Sequence, residues 1–163
     1  MATTRTVLTP FSAEFPSSNF PGLTTVNARP VLAFDAATQE TAYWTLVAPQ
    51  GLSGTMTAVL TYMMASATSG NIEFEVAVEA VTDADATDLD ATTSFGTVNS
   101  SGATAVPGTA GYIDQVSVTL TNQDSVAAGD LLRISVSRDA DDGTNDTATG
   151  DLYLLAVELR DAA

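Results

Sequence analysis

The sequence predicts an all-β protein: an antiparallel β-sandwich, jelly-roll-like, of about eight strands, preceded by an extended amino-terminal arm. Three observations carry that expectation. Apolar residues recur at every second position through most of the chain, the period of a strand with one buried and one wet face. Clusters of Gly, Asp, Asn and Ser interrupt those runs, as turns require. No segment of about ten residues carries a helical period. A length of 163 residues suits one domain, long enough to bury a core without staples.

Residues 1–30 read as the arm. Phe11, Phe15, Phe20 and Leu23 stand there among Pro10, Pro16 and Pro21, and proline at that density excludes a helix and disfavours central strands. Three phenylalanines are a large apolar load for a loop. The arm either docks these four residues on a neighbouring subunit or lies along its own sandwich and caps the core. Residues 31–163 form the sandwich domain. Strands are expected at 31–34 and 41–47. From 55 to 64, Met56, Ala58, Leu60, Tyr62 and Met64 share a face opposite Thr55, Thr57 and Thr61. From 71 to 81, Ile72, Phe74, Val76, Val78 and Ala80 oppose Glu73, Glu75, Ala77 and Glu79. Longer loops at 82–92 and 99–111 flank a short strand at 94–98. Val116, Val118 and Leu120 then alternate with Ser117 and Thr119, and Leu132, Ile134 and Val136 with Arg133, Ser135 and Ser137. In the last strand Leu152, Leu154 and Ala156 alternate with Tyr153, Leu155 and Val157, so it is expected to be buried on both faces.

The chain has no histidine, cysteine or lysine, yet carries 20 carboxylates against five arginines. Missing with them are the usual general base, the strongest nucleophile and the Schiff-base amine. Serine catalysis has no histidine or lysine to activate it. The expectation is a protein that is not an enzyme, with no catalytic residue and no cofactor. A net charge of −15, with Arg5, Arg29, Arg133, Arg138 and Arg160 scattered, argues against nucleic acid and against an anionic membrane. Disulfides are impossible. The first ten residues lack the pattern of a signal peptide, and no run approaches the ~18 apolar residues of a membrane span; a soluble protein made in the cytoplasm is expected.

Two acidic loops are candidates for calcium, which takes oxygen ligands from closely spaced Asp and Asn on glycine-containing loops. One holds Asp83, Asp85, Asp88 and Asp90; the other holds Asp139, Asp141, Asp142, Asn145 and Asp146 around Gly143. The second departs from the EF-hand spacing, since its glycine is fifth and no distal Glu follows. Solvated aspartate-rich turns explain both loops equally, and no metal ligand is assigned. Glu73, Glu75 and Glu79 offer a carboxylate pair of the kind glycosidases use, but acids along one strand more often form a solvated surface. Trp44, the single tryptophan, is expected in the core rather than as a sugar-stacking platform. Arg138 is expected to pair with Asp139, Asp141 or Asp151 and orient the last turn.

From about Arg29 to Arg160 the chain resembles a jelly-roll family of structural proteins in tailed bacteriophages. The matching segments are Ala42-Tyr43-Trp44-Thr45-Leu46, Gly54-Thr55-Met56-Thr57-Ala58, Thr68-Ser69-Gly70 and Ser94-Phe95-Gly96-Thr97. Ala128-Gly129-Asp130-Leu131-Leu132, Arg138-Asp139-Ala140-Asp141-Asp142 and the strand after Gly150-Asp151 complete the pattern. The resemblance implies a virion component on the capsid exterior: a head decoration or cement protein, bound as a homotrimer to the major capsid protein. It carries over no active-site residue. The competing expectation is a tail-fibre or baseplate module that binds a receptor or carbohydrate.

Overall fold

A computed structural model describes residues 2–161. Its strands, in chain order, are β1 (Thr3–Leu8), β2 (Gly22–Val26), β3 (Arg29–Phe34), β4 (Glu40–Val47), β5 (Thr57–Met64) and β6 (Asn71–Ile72). They continue with β7 (Phe74–Val81), β8 (Asn99–Ser100), β9 (Thr104–Ala105), β10 (Asp114–Thr119), β11 (Leu131–Arg138) and β12 (Leu152–Asp161). A single 3-10 turn, Pro10–Ser12, is the only helical element among the described residues. The fold is therefore an antiparallel β-sandwich. One sheet has the order β10-β5-β12-β3-β2, with β1 also paired to β12; the other has the order β4-β11-β7-β8. A two-stranded ribbon of β6 and β9 closes one end.

The alternation in the sequence translates directly into the two inner faces. Leu32, Phe34, Ala58, Leu60, Tyr62, Met64, Val116 and Val118 point inward from the larger sheet. They meet Ala42, Trp44, Phe74, Val76, Val78, Leu132, Ile134 and Val136 from the smaller one. Burying each large aliphatic or aromatic side chain contributes roughly 1.5–3 kcal/mol, which is what drives the two sheets together. Trp44 lies in this core, as expected, and its indole Nε1 donates to the Thr9 carbonyl at 3.0 Å.

The last strand departs from the expectation. It is not buried on both faces but changes face partway. Its pairing with β5 shifts register between Leu154 and Ala156. Leu152 and Leu154 point inward before that bulge, and Val157 and Leu159 after it. One extra residue inverts the parity of everything beyond it, so apolar residues at both parities serve a single buried face. Residues 71–81 likewise form two strands, because Glu73 leaves the ladder: its N–H donates to Asp146 and its carbonyl accepts from Asp139. The strand expected at 94–98 is displaced to Asn99–Ser100, with Gly96 N–H donating to the Val78 carbonyl just before it.

Residues 1–30 are not one extended arm, and the boundary placed at 30/31 falls inside β3. The prolines are confined to 10–21. On either side, the β-branched segments Thr3–Leu8 and Gly22–Val26 are free to pair, β1 with the far half of β12 and β2 with β3. Leu8 and Pro10 are buried. The proline-rich stretch between them lies along the outer edge of β4. Glu14 and Tyr43 exchange backbone hydrogen bonds of 2.7 and 2.9 Å, and Thr41 N–H donates to Asn19 at 2.9 Å. An edge strand left bare is a template for pairing with another chain, and here the chain's own segment covers it.

Arg138 joins the core from the inward face of β11, fully buried. Its partner is Asp146 rather than Asp139, Asp141 or Asp151. Nε and one terminal nitrogen bond both Asp146 oxygens at 2.8 Å, and the remaining N–H groups reach the carbonyls of Asp35, Ala148 and Gly150. Strand parity explains the choice: Arg138 points inward, where Asp146 on the returning chain is the carboxylate that reaches it.

Candidate functional site

A cleft lies at the end of the larger sheet where the β2–β3 hairpin turns. Asn27 and Ala28 take φ of 48° and 63°, the left-handed pair that a two-residue hairpin turn requires. The turn sets Arg29 opposite Val26. Together with Met63 at the end of β5, Ile113 ahead of β10, and Tyr153 and Leu155 on β12, they line a cleft of about 400 Å³. The floor is apolar: Met63 is buried, while Tyr153 and Leu155 are half-buried. Asn27 and Arg29 are the polar lining residues of the cleft. Arg29 is the one arginine with no carboxylate partner among the described residues; it only reaches the Asn27 carbonyl at 3.3 Å. Ile113 and its neighbour Tyr112 are more than half exposed, at 63% and 65%. An apolar, partly aromatic floor with a few converging polar groups is the usual form of a small-molecule site.

The outer face of the smaller sheet carries a second aromatic group, but it is closed on itself. The rings of Tyr43 and Phe95 stack at 5.5 Å, and the Arg133 guanidinium lies 5.3 Å from both centroids. Arg133 also bonds Glu79 at 3.0 Å, and Glu79 receives the backbone N–H and hydroxyl of Ser94. The cluster latches the 82–98 loop onto the sheet. Glu79 is therefore not part of a solvated surface, and neither is Glu73; both are buried. Glu75 is half-buried, accepts from Gln39 at 2.8 Å, and is held above the usual carboxylate range by burial.

Phe11, Phe15, Phe20 and Leu23 remain outside the core, at 72%, 38%, 44% and 46% exposure. Phe15 and Phe20 touch each other, ring centroids 5.6 Å apart. Of the two acidic loops, Asp83, Asp85, Asp88 and Asp90 are exposed and do not converge; Asp85 merely caps its own turn by accepting from Thr82. The second loop does converge, and on a residue from elsewhere. Carboxylate oxygens of Glu73, Asp139 and Asp142 lie within 4.8 Å of one another. Burial, a hydrogen bond with Asp141 and the neighbouring charges of Glu75, Asp141 and Glu73 push Asp139 up to about 6.

Fold and surface together define a β-sandwich with an open cleft at the β2–β3 turn and a separate exposed aromatic patch. No protein-family model matches the chain, and no curated protein matches it. Among solved structures it is similar to the CBM22-1 xylan-binding domain of Paenibacillus barcinonensis Xyn10C. The two share 14% identity and a TM-score of 0.51, over 99% of this chain and 97% of that one. It also matches the CBM22-1–GH10 modules of Clostridium thermocellum Xyn10B complexed with xylohexaose, at 15% identity and a TM-score of 0.46, over 88% of this chain and 25% of that one. At such identities the likeness is one of fold, a jelly-roll-like β-sandwich.

Proposed function

We propose that this chain is a non-catalytic recognition module that binds a neutral saccharide in the cleft at the β2–β3 turn. The observation that carries the reading is the cleft itself. Tyr153, half-buried, lines it as an aromatic surface suited to the C–H side of a sugar, beside Asn27 and an Arg29 that has no carboxylate partner among the described residues and so keeps donors for sugar hydroxyls. The sandwich it shares with a xylan-binding domain supports the reading at the level of fold. The net charge of −15 selects against polyanions, so the ligand is a neutral glycan. Affinity electrophoresis in gels containing neutral polysaccharides tests it. Retardation by at least one glycan is expected, with Tyr153→Ala and Arg29→Ala each weakening it about tenfold, or ~1.4 kcal/mol. Migration unaffected by every glycan would overturn it.

A second reading, a capsid-exterior decoration protein bound as a homotrimer to a major capsid protein, is favoured by the exposed Phe11, Phe15, Phe20 and Leu23. A cluster of exposed aromatics suits docking on another protein, and anything that binds only the assembled shell stabilises it. Phe15→Ser with Phe20→Ser separates the two readings. Loss of the chain from purified particles favours the shell; unchanged glycan binding by the same variant favours the cleft.

A further inference from the structure

We infer that Glu73, Asp139 and Asp142 form a calcium site that ties the start of β7 to the loop after β11. The three come from different places, Glu73 from the break between β6 and β7, and the two aspartates from the 139–150 connection. Their oxygens lie within 4.8 Å of one another, the span across an ion whose ligands sit at about 2.4 Å.

An acidic cluster alone is commonplace on so acidic a chain. Here Glu73 adds an independent observation. It is 6% exposed, one carboxylate oxygen accepts from the Ser100 hydroxyl, and the other, Oε2, is buried with no hydrogen-bond partner among the described residues. A buried carboxylate oxygen without a partner is costly, and this carboxylate converges on two others. Among the described residues none of the three is in an ion pair. Arg138 precedes Asp139 in the chain, but all five of its N–H groups are committed to Asp146 and to backbone carbonyls on the inward side of the strand. The chain has no lysine or histidine to stand in. Asp142 is already aimed, its oxygens fixed by the N–H groups of Thr144 and Asn145 and the Asn145 amide. An all-oxygen, carboxylate-rich set on a loop suits calcium, which accepts irregular geometry, better than magnesium, which demands a near-ideal octahedron and keeps its waters.

The experiment is a thermal melt of the whole chain, stripped with EDTA and then returned to excess calcium or magnesium. Calcium is expected to raise Tm by about 5–10 °C when present at roughly a hundred times its dissociation constant. Glu73→Gln, which keeps the Ser100 contact, is expected to melt no lower than wild type in EDTA and to lose the calcium response; Asp139→Asn with Asp142→Asn is expected to lose it as well. Asp85→Asn with Asp88→Asn, in the loop that does not converge, is expected to respond as wild type. Coincident melts in EDTA and calcium would overturn the site, as would an equal response to magnesium or a Glu73→Gln variant that still responds.

Discussion

Replacing Arg138 with methionine should be among the most damaging single changes in the chain, and its cost can be worked from its bonds. The guanidinium is fully buried and makes both bonds to Asp146, plus bonds to the carbonyls of Asp35, Ala148 and Gly150. Methionine fills much of the space but strands the Asp146 carboxylate, itself 5% exposed. Removing one partner of a buried ion pair costs about 3–5 kcal/mol, against a total stability of about 5–15 kcal/mol for a domain. Three carbonyls also lose a donor, which adds to the cost. Asp146→Asn is expected to cost about as much, since it leaves the buried Arg138 cation without a counter-charge and turns an amide NH2 toward its donors. Urea unfolding followed by fluorescence reads both, because the one tryptophan, Trp44, is buried in the core. With a slope of about 2 kcal/mol per molar, the Arg138→Met midpoint should fall by roughly 1.5–2.5 M. A fall under about 0.3 M for either variant would refute the assignment of this pair as the pin of the 139–150 connection.

Other outcomes follow from single contacts. Asp161 is held below the usual carboxylate range, chiefly by its hydrogen bond from Arg5 and also by that charge and Ser53. A depressed carboxylate stabilises the fold above its ordinary pKa of 3.8 and loses that contribution as pH falls through its folded value. Arg5→Gln should therefore lower the urea midpoint at pH 7, with the gap to wild type closing as the pH is taken below the normal aspartate range; a gap independent of pH would contradict this. Ala28 holds a φ of 63° in the β2–β3 turn, a conformation that costs a residue with a Cβ roughly 1–2 kcal/mol. Ala28→Gly should leave the fold intact and raise Tm by about 1–3 °C, net of glycine's greater freedom when unfolded; a lower Tm would show that the turn is not strained. Phe15→Ser with Phe20→Ser removes exposed rings and should shift stability by no more than about 1 kcal/mol, since surface changes seldom cost more than about 0.5 kcal/mol each.

The sandwich was legible because its strands each keep one parity over many residues. Ile72, Phe74, Val76 and Val78 read as one face in the sequence and form one face in the core. Where parity changes, the pattern misleads: the bulge after Leu154 made β12 look buried on both sides. Glu79 looked solvated because period two does place it on the outer face; it is buried by Ser94, Phe95 and Arg133, contacts that no local pattern records. Proline density marked the whole of 1–30 as an irregular arm and so hid the strands on either side of the prolines. The aspartates at 139–146 stood out, whereas Glu73, some seventy positions earlier, joins them only because β7 and β11 are neighbours. The cleft had almost no signal in the sequence. Its walls come from separate segments around 26–29, 63–65, 111–113 and 153–155, and only the sheet order brings them together. One faint pointer was available: Asn27, in a two-residue gap between β-branched runs, marks a hairpin turn.

The most direct measurement is a calorimetric titration of the chain with whichever neutral glycan retards it, repeated on Tyr153→Ala and on the Phe15→Ser, Phe20→Ser double variant. Saturable binding that Tyr153→Ala weakens about tenfold, and that the phenylalanine variant leaves unchanged, is the result expected of a saccharide cleft at the β2–β3 turn. Binding to no neutral glycan, or binding indifferent to Tyr153, would contradict it.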